Sequence, residues 1–263
     1  MLHSLRFSLS FLFVACFSSL FIDSAEARIL GRRAVPCVPM TYCSSVPQVC
    51  YGSTVSLIGD DLSGWTALGG GPQRGGWSVV DGTLHLKGSG GDLVTERQYK
   101  NFVLDFEWTI AEGGNSGIKY RYKNFDDDGW LGLEYQVLDD FGTSEGNRAK
   151  SSTASLYDIL PPNSQKSLNS ADQINKGRIV VNGNRIEHWL NGQKVLSVVV
   201  GSKEWNKGIA ASKFNEIKGF GVNLCGQIML QDHGSEVWFH KLTIREILPK
   251  PPVRKVAVSR RCR

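Results

Sequence analysis

The feature that most constrains this chain is a period-two alternation of apolar and polar residues, cut repeatedly by Asp-Gly and Asn-Gly. Successive side chains on a strand point to opposite faces. An Asp-Gly or Asn-Gly pair between two alternating runs is the strongest short-range hairpin signal. Residues 77–80 lead into Asp81-Gly82, and residues 83–87 return. Residues 176–181 reach Asn182-Gly183-Asn184, residues 185–190 return, and Asn191-Gly192 turns the chain into residues 193–199. Two such turns in succession predict a β-meander. Residues 101–111 set Phe102, Leu104, Phe106 and Trp108 against Val103, Asp105, Glu107 and Thr109. Helical periodicity is confined to a turn or short helix within residues 203–214, near Trp205. Many short strands with Gly-rich turns predict an all-β protein, a two-sheet jelly-roll β-sandwich.

The 263 residues leave room for one large β domain or two small ones, and 41% hydrophobic against 21% charged residues supports a packed core. The formal charge of +5 is unevenly spread. Residues 249–263 carry six Lys and Arg and no acid, residues 1–33 carry +2, and the rest is left at −3. A mildly acidic body argues against a nucleic-acid-binding domain, which needs a basic face. The basic tail lacks interleaved aromatics and reads as a solvated appendage.

Residues 1–27 read as a secretory signal: Arg6, an apolar run over residues 7–22, and Ala25-Glu26-Ala27 as the cleavage site. An acylated Cys16 is the weaker alternative. No later run is apolar and long enough to span a bilayer, which takes roughly 20 residues. The mature protein is therefore expected to be exported, periplasmic or extracellular, without a transmembrane segment. Residues 28–54 are a Pro-containing linker with Cys37, Cys43 and Cys50; residues 55–248 are the body; residues 249–263 are the tail. Removing Cys16 with the signal leaves five cysteines, an odd number whose pairing stays open. Cys225 has an apolar context and is expected to be buried.

A polar stripe recurs on three strand-like segments, residues 117–122, 133–137 and 228–233. Alternation puts Ile118, Tyr120 and Tyr122 on one face and Lys119 and Arg121 on the other. In one sheet, Arg121, Glu134, Gln136, Gln231 and His233 would gather on the outer surface. A cation, a carboxylate, two amides and an imidazole suit a polyhydroxylated ligand and supply acid–base groups. The readings without chemistry are a cross-strand Arg121–Glu134 ion pair and a structural His233 beside Asp232. Trp130, beside Gly129 in a polar loop, is the candidate for stacking on a sugar ring. Asp126-Asp127-Asp128 reads as a solvated loop.

The ordered motifs of the body resemble the 3-keto-disaccharide hydrolase domain family. They include Leu62-Ser63-Gly64-Trp65, Asp92-Leu93-Val94-Thr95, Gly114-Asn115-Ser116-Gly117-Ile118 and Glu134-Tyr135-Gln136-Val137-Leu138-Asp139. Further on come Leu156-Tyr157-Asp158, Ile186-Glu187-His188-Trp189-Leu190-Asn191-Gly192, Ser212-Lys213-Phe214 and Gln231-Asp232-His233-Gly234. The resemblance implies a concanavalin-like sandwich acting on oxidised glycosides. A ketone at C3 acidifies the C2 hydrogen, a base removes it, the C1 substituent leaves, and water adds back. On that reading His233, Glu134 and Arg121 are catalytic, and Gln136, Gln231, Asn115, His188, Lys213 and Trp130 bind substrate. His188 also alternates with Ile186 and Leu190, which would turn it to the core. A divalent metal on Glu134 and a histidine would polarise the ketone, although the sequence has no tight metal-binding motif. The rival expectation is a non-catalytic carbohydrate-binding module.

Overall fold

The computed structural model describes residues 49–249 apart from Arg74. The expected signal, most of the linker with Cys37 and Cys43, and the tail with Cys262 lie outside the described residues. In chain order the elements are β1 (Cys50–Tyr51), β2 (Val55–Ser56), β3 (Trp65–Ala67), β4 (Trp77–Val80), β5 (Thr83–Leu86), β6 (Leu93–Thr95) and β7 (Phe102–Ile110). They continue with β8 (Asn115–Asn124), β9 (Trp130–Leu138), β10 (Asn175–Asn182), β11 (Arg185–Leu190) and β12 (Gln193–Val199). Helix α1 (Lys203–Ala210), β13 (Gln227–Leu230) and β14 (Val237–Leu248) complete the order. Two antiparallel sheets form a jelly-roll sandwich. One is nine-stranded, ordered β12-β11-β10-β7-β14-β5-β4 with β1 and β2 also on β14; the other is five-stranded, ordered β3-β6-β13-β8-β9.

The turn chemistry explains the meander. Asp81 and Gly82 both have positive φ, 50° and 72°, as do Asn191 and Gly192, 46° and 82°. A two-residue loop of that kind matches the twist of its flanking strands. β10, β11 and β12 accordingly pair in sequence. The core lies between the sheets, where Phe102, Phe106, Trp108, Tyr120 and Tyr135 are buried with aliphatic residues of both layers. Phe106 and Tyr135 meet edge to face at 5.0 Å. Ser202 caps α1 by accepting the Trp205 N–H, and Trp205 is buried on the core side.

His188 belongs to this core. It is fully buried, its Nε2 2.9 Å from the Tyr120 hydroxyl and its Nδ1 3.1 Å from the Ala154 carbonyl. Burial pushes its pKa down to about 4, so it is neutral. The alternation with Ile186 and Leu190 wins over the sugar-binding assignment.

The largest departure from simple alternation is at Arg121. Pairing of β8 shifts register on both sides, between Tyr120 and Lys123 against β9 and between Gln227 and Met229 on β13. Arg121 sits in this bulge at φ 51°. An inserted residue reverses the facing of the residues after it. Ile118 and Tyr120 face the core, whereas Tyr122 joins Val94 and Met229 in a separate cluster. Arg121 does not share a surface with Lys119. It is 1% exposed, with Nη1 donating to the Gly221 carbonyl at 2.8 Å and Nη2 to the Gly183 carbonyl. The catalytic assignment of Arg121 is thereby corrected: it ties the bulge to the loop before β13 and to the β10–β11 turn. Cys225, expected to be buried, is exposed, and it and Cys50 are free thiols.

β9 does not end the five-stranded sheet as a bare edge. Ala154 N–H bonds the Gln136 carbonyl at 2.9 Å, Tyr157 N–H bonds the Glu134 carbonyl at 3.1 Å, and Tyr135 bridges Leu156. Arg121→Met would leave the Gly183 and Gly221 carbonyls without their donor. Lost charge-assisted bonds predict destabilisation of about 3 kcal/mol, read by denaturant unfolding. Function below the unfolding range is expected to survive, which would not hold if the guanidinium touched a ligand.

Candidate functional site

The outer face of the five-stranded sheet collects the polar residues. Register places Lys119 opposite Glu134 on one side and Met229 on the other, with Met229 opposite Val94. In the next row Gln136 stands opposite Gly117, and Gln231 N–H donates to the Gly117 carbonyl at 2.9 Å. Gly117 leaves a bare patch of backbone at the centre. A Cβ there would lie 2.5 Å from Glu134 Oε1, so the carboxylate leans over the glycine into space that any side chain would fill.

Glu134 is 7% exposed, and Lys119 Nζ lies 3.8 Å from its Oε2. Among the described residues no donor hydrogen-bonds to this carboxylate. Burial pushes its pKa above the ordinary 4.5; Lys119, Lys213 and His233 pull it down in part, and Asp92 adds to the rise. These groups therefore share one electrostatic environment. Tyr157, beside Glu134 at the covered edge, has its hydroxyl pushed up by burial first and by Glu134 second.

Loops place the remaining groups. Lys213 follows α1; its backbone N–H donates to Asp158 Oδ2 at 2.7 Å, and its Nζ lies 4.7 Å from the centre of the Tyr157 ring. His233 is exposed just beyond β13. Its neighbour Asp232 accepts the N–H groups of Gly90, Gly91 and Gly234 and donates its own to Asp92 Oδ1. Asp232 thus fixes the loop carrying His233.

Of the residues singled out in the sequence, Glu134, Lys213 and His233 come together here, with Gln136 and Gln231 in the adjoining row. Gln136 is 1% exposed, its Nε2 bonded to the Ser151 carbonyl and its Oε1 buried without a partner among the described residues. Asn115 starts β8, with Oδ1 likewise buried and unpartnered among the described residues. Trp130 packs its ring 5.7 Å from Tyr122, beyond the bulge from Gly117. Arg121 and His188 lie elsewhere, one in the bulge and one in the core. Lys119, Asp92, Tyr157 and the space over Gly117 were missed. The cross-strand pairing of Lys119 with Glu134 was the available signal. The donor set does not fit a metal: among the described residues no three His, Cys, Asp or Glu side chains converge, and an ammonium already stands beside Glu134.

A carboxylate held at raised pKa, flanked by two ammonium groups and an imidazole, can remove a proton and stabilise the resulting anion. Comparison with known proteins agrees with a carbohydrate-active site. Residues 53–245 match the 3-keto-alpha-glucoside-1,2-lyase-like domain. The chain is 32% identical over 233 residues to a 3-keto-disaccharide hydrolase of Bacteroides thetaiotaomicron, covering 76% of this chain and 80% of that protein. A crystal structure of a candidate glycosyl hydrolase from Parabacteroides distasonis superposes with TM-score 0.66 at 30% identity, over 74% of this chain and 94% of that one. A second from the same organism, at 24% identity and TM-score 0.60, covers 74% and 100% and shares the fold.

The raised pKa of Glu134 has a stability consequence with a definite sign. The folded state holds the proton more tightly than the unfolded chain, so stability present below about pH 4.5 is lost as pH rises through the folded pKa. Glu134→Gln removes that loss. Thermal unfolding is expected to show Glu134→Gln melting above wild type at pH 7 and converging with it below pH 4.5. A lower melting point at pH 7 would contradict the assignment.

Proposed function

The chain belongs to the family of the 3-keto-alpha-glucoside-1,2-lyase-like domain, and on that premise we propose that it cleaves 3-keto-glycosides by β-elimination. The observation that carries this reading is Glu134, a buried carboxylate of raised pKa leaning over Gly117 with Lys119 Nζ 3.8 Å away. Ordinary glycoside hydrolysis uses two carboxylates flanking the bond. Here the carboxylate is paired with cations instead, which suits a developing enolate.

Glu134 takes the proton from C2 of the keto-sugar. The C2–H electrons move into a C2=C3 enolate, with the negative charge on the C3 oxygen, where Lys119 and Lys213 stabilise it. These ammonium groups take the part expected of Arg121. The enolate then collapses: the C3 ketone re-forms, the C2=C3 pair becomes the C1=C2 double bond, and the C1–O bond breaks with its electron pair leaving on the departing oxygen. His233, exposed beside the site, gives a proton to the leaving oxygen. Water then adds across C1=C2, the hydroxyl to C1 and the proton to C2, for net hydrolysis. Gln231 and the polar rim bind sugar hydroxyls. The N-terminal sequence supports export as part of the same proposal.

The test is release of sugar from a 3-keto-disaccharide and none from the unoxidised disaccharide. Glu134→Gln is expected to lose a hundredfold or more, within the range of about 10²–10⁴ for general acid–base groups. Gly117→Ala, which displaces the carboxylate without removing it, is expected to lose about a hundredfold in kcat, the scale of a misplacement of about 1 Å. Tight saccharide binding by a well-folded protein that turns over no keto-sugar would instead identify a binding module.

A further inference from the structure

A hollow of about 400 Å³ opens where β3 ends and β6 begins, past the end of β13. Its lining includes Ala67, Leu68, Gly90, Gly91, Asp92 and Asp232. It lies toward the opposite side of the five-stranded sheet from β9. From β9 to β6 is three strand spacings, roughly 14 Å. The volume falls toward the small end of ligand pockets, about 300–1,000 Å³.

The two carboxylates in the hollow differ in what remains to them. Asp232 is fully engaged, holding Gly90 and Gly91 through Oδ2 and Gly234 through Oδ1. Those bonds make the glycine segment a rigid wall. Asp92 accepts the Asp232 N–H on Oδ1, and its other oxygen has no donor among the described residues. That oxygen can only accept, and Asp92 is half-buried at the wall, so a hydroxyl or amine entering the hollow would take the place of water on it. The lining contains no aromatic ring among the described residues. An enolate would be repelled by these acids and drawn to Lys119 and Lys213 at the other side. The ketone-bearing ring and the hollow are thereby kept apart.

We infer that this hollow is the leaving-group subsite and that it receives a second sugar ring, with Asp92 accepting its hydroxyls. The inference rests on the function proposed above. It makes the preferred substrate a disaccharide laid across the strands from β9 to β6, with the scissile bond between Lys119 and Asp92. Glycosides with small alkyl groups leave the hollow empty.

The experiment compares kcat/KM for a 3-keto-disaccharide and for methyl 3-keto-glucoside, in wild type, Asp92→Asn and Leu68→Trp. Asn keeps the acceptor for the Asp232 N–H but replaces the spare carboxylate oxygen. Leu68 is 41% exposed, so Trp at this position fills the hollow without disturbing the core. The ratio of disaccharide to methyl glycoside kcat/KM is expected to fall about tenfold in both variants. An unchanged ratio overturns the subsite. If wild type turned over neither keto-sugar, the proposed reaction would fall instead. Calorimetry with the unoxidised disaccharide then decides the subsite separately: tenfold weaker binding to Asp92→Asn supports it, and equal binding rejects it.

Discussion

The site depends on a buried guanidinium that has no acid for a partner among the described residues. Arg121 bonds two backbone carbonyls, one in the loop before β13 and one in the β10–β11 turn. An unpaired buried charge is costly unless its donors are occupied, and two carbonyl acceptors in fixed loops meet part of that need. In return the bulge holds its one extra residue. The backbone at 226 packs against it so closely that a Cβ there would lie 2.5 Å from the Arg121 carbonyl carbon. Because of that one residue, Lys119 and Tyr122 emerge on the same side of the sheet, although three positions separate them. Without the bulge, the tyrosine would return to the core and the apolar cluster with Val94 and Met229 would be broken.

The outer face is organised around a conflict. Glu134 is taken from water, yet no hydrogen-bond donor among the described residues meets its carboxylate. Its surroundings raise the cost of ionisation and then offset only part of it through Lys119, Lys213 and His233. A protein selected for stability alone would place an amide or an apolar side chain here. The arrangement keeps a carboxylate basic, under-solvated and adjacent to cations, which favours a group that exchanges protons over one that merely links strands.

Most of the architecture was legible in the sequence because it is written in local signals. Asp81-Gly82 and Asn191-Gly192 specify their turns through backbone conformations that few other pairs adopt. The runs they join carry their facing in alternation. The shared facing of Glu134, Gln136 and Gln231, in two adjoining rows, was likewise readable, since each lies in an uninterrupted stretch. Arg121 was misread because period-two alternation carries parity forward and cannot register an inserted residue. His188 was ambiguous because a buried imidazole with two partners in the fold, Tyr120 and Ala154, looks in sequence like a ligand-binding one. Lys213 was reached only through the family resemblance, and Asp92 was missed, because both depend on loops whose placement arises from long-range contacts, such as Lys213 with Asp158 and Asp232 with Gly90 and Gly91.

The segment paired along β9 has a further consequence. An unprotected outermost strand offers a template on which a neighbouring molecule can add its own chain. Here that row of amides and carbonyls is already answered from within, by a stretch that includes Ala154 and Tyr157. Over that stretch of β9, Glu134 therefore lies on an outermost strand whose outward backbone is already bonded within the chain.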